Sequence, residues 1–128
     1  MQKYSPATLG KVTEIEVFQF NFFQTQMTDC MSIDHYGGVV LRGEPMHLIA
    51  DLWRKLPIGE EYLCHDPPFG LRFIDNGKTL CQASICWDCD NIRGDIAGEK
   101  FYYEFDSSAE VSKRLFDELK RAVSSIDV

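Results

Sequence analysis

The stretch Leu63–Asp90, LCHDPPFGLRFIDNGKTLCQASICWDCD, decides how this chain folds. Asn76-Gly77 is the dipeptide that accepts positive φ at both centres of a type I′ turn, and it stands between two runs with strand composition, Leu71–Asp75 and Lys78–Trp87. A two-residue loop sets a register in which Asp75 faces Lys78, Phe73 faces Leu80 and Leu71 faces Gln82. Continued outward, the same arithmetic sets Cys64 opposite Cys89 and His65 opposite Asp88, although Pro67 and Pro68 must interrupt the ladder first. The hairpin thus steers Cys64 and His65 toward the Cys86-Trp87-Asp88-Cys89 turn.

Four of the five cysteines fall in this stretch. Cys81 shares the strand parity of Ala83, Ile85 and Trp87 and reads as a buried core thiol. Three readings of the others stay open. Two thiols in C-x-x-C spacing, with Cys64 and His65 facing them, offer up to four soft ligands for tetrahedral zinc, so Cys64, His65, Cys86 and Cys89 are the candidate metal ligands. A redox thiol pair is the second reading. It is disfavoured by the neighbouring carboxylates Asp66, Asp88, Asp90 and Asp95, which oppose a thiolate and leave Arg93 as the nearby cation. The third is thiols packed without a ligand, with any Cys86–Cys89 disulfide adventitious. Asp66, Asp88 and Asp90 are in turn the candidate binding residues for a cationic partner.

Leu63-Cys64-x-x-Pro67, followed beyond the hairpin by Ile85-Cys86-Trp87-x-Cys89, resembles a group of small bacterial proteins with the pattern C-x-x-P-R-H, hairpin, I-C-F-x-C. That group has no established activity, and the likeness covers about a quarter of the chain. It implies that Cys64 belongs with Cys86 and Cys89. Pro68 and Phe69 stand where the pattern has Arg-His, so no role for that histidine carries over.

Outward from the hairpin, the segment 11–23 alternates as Ile15 and Val17, then in the opposite phase as Phe18, Phe20 and Phe22. It is expected to be a long central strand, with a bulge or burial on both faces near Val17 and Phe18. Residues 24–38, with Cys30 and His35, read as a connection, and 39–42 as a short strand. Glu44-Pro45 opens a helix, with proline at its first position, whose buried stripe is Leu48, Ile49, Leu52, Trp53 and Leu56. Asp90–Gly98 reads as a loop, Phe101–Phe105 as a half-buried strand, and Ser107-x-x-Glu110 as a capping box. The box starts a final helix with Val111, Leu115, Leu119, Ala122 and Ile126 inward. Residues 1–10 read as a loose lead-in. The order suits one α+β domain over residues 1–128, a mainly antiparallel sheet of about five strands with two helices packed on one face.

A formal charge of −7 repels phosphate backbones and anionic membranes and favours a cationic partner. There is no signal-peptide pattern at the start and no apolar run long enough to span a bilayer, so a cytoplasmic location with reduced thiols is expected. No Gly-rich phosphate loop, G-x-S-x-G or H-E-x-x-H motif is present, and His35, His47 and His65 are not spaced as a metal or triad set. The expected function is a small acidic protein that binds a basic protein partner, in the manner of an immunity or inhibitor module. The alternative is a zinc or thiol protein centred on Cys64, Cys86 and Cys89, and pairing of two copies through an edge strand stays open.

Overall fold

Alternating apolar residues place one face of a twisted sheet against two amphipathic helices. The computed structural model describes residues 2–20 and 38–124. Among these lie seven strands: β1 (Gln2–Lys3), β2 (Glu14–Gln19), β3 (Val39–Leu41), β4 (Phe69–Asp75), β5 (Lys78–Cys86), β6 (Asn91–Ile96) and β7 (Glu99–Glu104). Helix α1 spans Gly43–Arg54 and α2 spans Glu110–Ser124. The sheet order is β1-β7-β6-β5-β4-β2-β3, antiparallel except where β1 runs parallel to β7. Both helices pack against each other and against β2, so they share one face.

The α+β class and the paired helices agree with the expectation; the strand number and character do not. The expected loop Asp90–Gly98 is instead mostly β6. It pairs on both sides, and a second hairpin turns at Ala97 and Gly98, both at positive φ (53° and 85°). The lead-in is docked: Tyr4 stacks on Phe101 at 4.2 Å between ring centroids and accepts a hydrogen bond from the Trp53 indole at 3.2 Å. The mixed character comes from this short parallel β1.

The hairpin register also differs. Asp75 faces Lys78 as expected, but a bulge at Leu80 makes Phe73 face Cys81 and Leu71 face Ala83. The reason is burial. Paired residues of an antiparallel ladder share a face, so the unbulged register would put Phe69, Leu71 and Phe73 on one face and Cys81, Ala83 and Ile85 on the other. One extra residue brings both sets under the helices. No bulge occurs in β2, whose pairing with β4 is continuous; Val17 and Phe18 are buried on opposite faces. β2 lies one strand in from the β3 edge and not at the centre. Its expected extension to residue 23, the connection with Cys30 and His35, and Ile126 fall outside the described residues.

Trp53 from α1 is fully buried against Phe73, with ring centroids 4.9 Å apart. Helix α1 begins at Gly43, which puts Pro45 third, where a missing N–H still costs no intrahelical bond. At the start of α2 the expected Ser107/Glu110 box is replaced by Asp106, whose Oδ1 accepts from the Ser108 N–H at 3.0 Å and the Ser108 hydroxyl at 2.6 Å. Those two bonds hold the Asp106 carboxyl below its usual pKa.

Gly94 on β6 faces Phe101 across the ladder, and an added Cβ would run into the Gln82 carbonyl oxygen and the Phe101 ring. Gly94→Ala is therefore expected to lower stability by about 1–3 kcal/mol through forced displacement of that ring, read as a lower urea midpoint with unchanged m-value.

Candidate functional site

The face of β5 and β6 away from the helices carries Ser84, Cys86, Asn91 and Arg93, and the segment between α1 and β4 lies across it. Prolines and acidic residues keep that segment from forming a strand of its own, so its backbone groups take side-chain partners. The Asn91 amide nitrogen donates to the Cys64 carbonyl at 2.6 Å and more weakly to that of Tyr62 at 3.4 Å; Arg93 donates to that of Leu63 at 3.3 Å. Upstream, Gly59 N–H donates to the Glu104 carbonyl at 3.0 Å, and Ile58 bridges to Phe105.

His65 completes the attachment. Its Nδ1 lies 2.6 Å from Asn91 Oδ1 and its Nε2 lies 2.6 Å from Ser84 Oγ. Since Asn91 Oδ1 only accepts, Nδ1 carries the proton and Nε2 accepts from the serine hydroxyl. Ser84, His65 and Asn91 thus share the connectivity of a hydrolytic triad, which sequence spacing did not reveal because each residue comes from a different element. The chemistry does not follow. Ser84 is buried beneath the ring, and His65 is pushed down to about 4, first by burial and then by the Arg93 charge, against the raising effects of Asn91 and Asp66. A base so weak draws little proton density from serine at neutral pH. The trio works as a post that fixes the segment.

Two of the four cysteines among the described residues are joined. Cys64 and Cys89 form a disulfide with Cα atoms 5.5 Å apart, within the range such a bond requires. The expectation of reduced thiols, and of any disulfide lying within the C-x-x-C pair, is corrected: the bond joins the outward-extended partners, closing a loop with a sequence separation of 25 and contributing about 3 kcal/mol by chain entropy. Cys81 and Cys86 are both buried. Burial pushes the Cys86 thiol up, the backbone N–H groups of Asp66, Cys89 and Asp88 pull it down, and the Asp88 carboxylate adds to the rise. Trp87 roots the turn in the core, donating to the Ser112 carbonyl at 2.9 Å and packing on Phe116 at 4.9 Å.

The structure thus brings Cys64 to Cys89 and Asp66 to Cys86, but turns His65 away onto Asn91 and Ser84. Among the described residues no group of three or more His, Cys, Asp or Glu is placed to hold a metal ion, the Cys64 and Cys89 sulfurs being bonded to each other. Asp66 and Asp88 are exposed and Asp90 is half-buried at positive φ. A cleft of about 340 Å³ opens between residues 61–63 and the β6–β7 face, including Tyr102 and Glu104. No helix among the described residues is long and apolar enough to cross a membrane. Compared with family models, curated proteins and solved structures, the chain finds no match.

The His65 shift sets a pH dependence. The folded ring resists protonation until about pH 4, whereas an unfolded histidine takes its proton near 6.5. Its contribution is therefore full above pH 6.5 and is lost as the pH falls through the window down to 4, by up to about 3 kcal/mol before screening of the partly exposed ring is allowed for. Chemical denaturation at pH 7.5 and 4.5 is expected to show that loss in the wild type and a smaller one in His65→Gln; parallel losses in both would assign it to other groups.

Proposed function

We propose that this chain is a binding module for a basic protein, in the manner of a small acidic domain that covers a cationic surface on a toxin or nuclease. The observation that carries the reading is Leu63, 88% exposed on a segment anchored on both sides. Single exposed leucines need no explanation. Here Ile58 (62%) and Tyr62 (46%) are exposed on the same short segment, while the carbonyls of residues 62–64 are tied to the sheet. With the backbone of residues 62–64 held in advance, docking costs little backbone ordering.

Around this apolar centre lie Glu60, Glu61, Asp66 and Asp88, all exposed, in a chain of net charge −7. An apolar, aromatic centre rimmed by charge is the composition of a protein interface, and acidic rims speed encounter with a basic partner. The same rim disfavours nucleic acid and anionic membranes as occupants.

The test is an affinity column bearing the chain, loaded with extract of the source cells and eluted with rising salt; each recovered protein is purified and titrated against wild type and Leu63→Ala. The expected result is a basic partner whose affinity falls at least about tenfold with Leu63→Ala and falls steadily with salt. Partners that are acidic, indifferent to salt and bound equally by Leu63→Ala would contradict the proposal.

A further inference from the structure

The cleft of about 340 Å³ between the anchored segment and the outer face of β6 and β7 is lined by two tyrosines and two glutamates. Glu61 and Tyr62 come from the segment. Tyr102 and Glu104 come from β7, and the sheet register fixes them: Glu104 is the direct partner of Asn91 and Tyr102 that of Arg93, so both stand on the face over which the segment lies. Because Asn91 and Arg93 bond the carbonyls of residues 62–64, the two sides of the cleft are tied to each other before any ligand arrives.

Charge decides what fits. Arg93 is the cation of the lining, and its guanidinium already donates to the Leu63 carbonyl at 3.3 Å. Against it stand two carboxylates, neither of which forms an ion pair among the described residues. Two negative charges and one positive leave the cleft one net negative charge, in a chain of net charge −7. An anionic ligand would meet both carboxylates, and an apolar one would bury them unpaired. A flat cation gains twice, from the faces of the phenol rings and from hydrogen bonds to the carboxylates. A guanidinium, which stacks and carries five donors, uses both better than the compact, strongly hydrated ammonium of lysine. The volume lies at the small end of ligand clefts, with room for one long side chain and not for a helix.

We propose that the cleft is a subsite for an arginine side chain of the basic partner, with the guanidinium between Tyr62 and Tyr102 and its N–H groups donating to the carboxylates of Glu61 and Glu104. This rests on the reading of the chain as a binder of a basic protein. Leu63 beside the cleft supplies the apolar contact, and the arginine sets the register of the docked surface.

The experiment is an NMR titration of the full isotope-labelled chain with N-acetylarginine methylamide at fixed ionic strength, repeated with the citrulline and lysine analogues. The expected result is saturable shifts centred on residues 61–63, Tyr102 and Glu104, with a dissociation constant on the order of 1 mM. The lysine analogue is expected to bind more weakly, and the citrulline analogue, which keeps the shape without the charge, not to bind. Glu104→Gln keeps the backbone bond to Gly59 and is expected to weaken the arginine probe about tenfold, whereas Glu110→Gln, which removes the same charge at an exposed position of α2, keeps wild-type binding. Absence of saturable shifts, equal binding of either analogue, or an equal effect of Glu110→Gln overturns the proposal. A basic partner that loses affinity with Leu63→Ala but not with Glu104→Gln overturns the subsite and leaves the wider interface standing. Arginine bound in the cleft with no basic partner recovered supports the subsite and counts against the wider reading.

Discussion

The carboxamide of Asn91 is the constraint on which the functional face depends. As the first residue of β6 it is held in register between β5 and β7, and from there it donates to the carbonyls of Tyr62 and Cys64 and accepts from His65. A segment with two prolines cannot join the sheet by a ladder, so one side chain replaces the ladder. Leu63 is displayed and Cys64 reaches Cys89 because of that substitution.

β5 supplies the complementary constraint through its two faces. Cys81, Ala83 and Ile85 lie under the helices, while Ser84 and Cys86 point to the segment. The Leu80 bulge makes this division possible. Trp87 extends the buried face past the end of the strand into an aromatic cluster with Phe69, Phe105 and Phe116, so the C-x-x-C turn is fixed from the helix side with both of its cysteines buried. The serine and histidine of the trio are then explained as attachment: burial keeps His65 neutral, and a neutral ring can both donate to Asn91 and accept from Ser84.

Much of this was legible in the chain itself. Ile49, Leu52, Trp53 and Leu56 of the first helical stripe, Leu115, Leu119 and Ala122 of the second, the Asn76-Gly77 turn and the core position of Cys81 follow from period and turn chemistry. The approach of Cys64 to Cys89, in contrast, was read from a register that the Leu80 bulge shifts by one residue. β6 was not legible, because its inward position opposite Phe101 is a glycine and its outward positions are Asn91, Arg93 and Asp95, which carry no apolar alternation. Its turn was hidden because Ala97 adopts a positive φ that alanine seldom takes. The bulge was invisible to a register counted from the turn alone; only the demand that both strands bury their apolar sets on one face reveals it. The site was legible as a cluster of residues but not as a set of contacts, since Asn91 and Ser84 have no motif and gain their roles from strand pairing.

The most direct measurement on this account is amide hydrogen exchange in Asn91→Ala, followed at the Asp66 N–H, which pulls the Cys86 thiol down, and at Gly59 N–H, which bonds to Glu104. If Asn91 is the clamp, protection at Asp66 falls at least about tenfold, while Gly59 and the β2–β4 ladder keep theirs. Unchanged protection at Asp66, or an equal loss at all of these amides, would contradict the claim that this one side chain holds the segment in place.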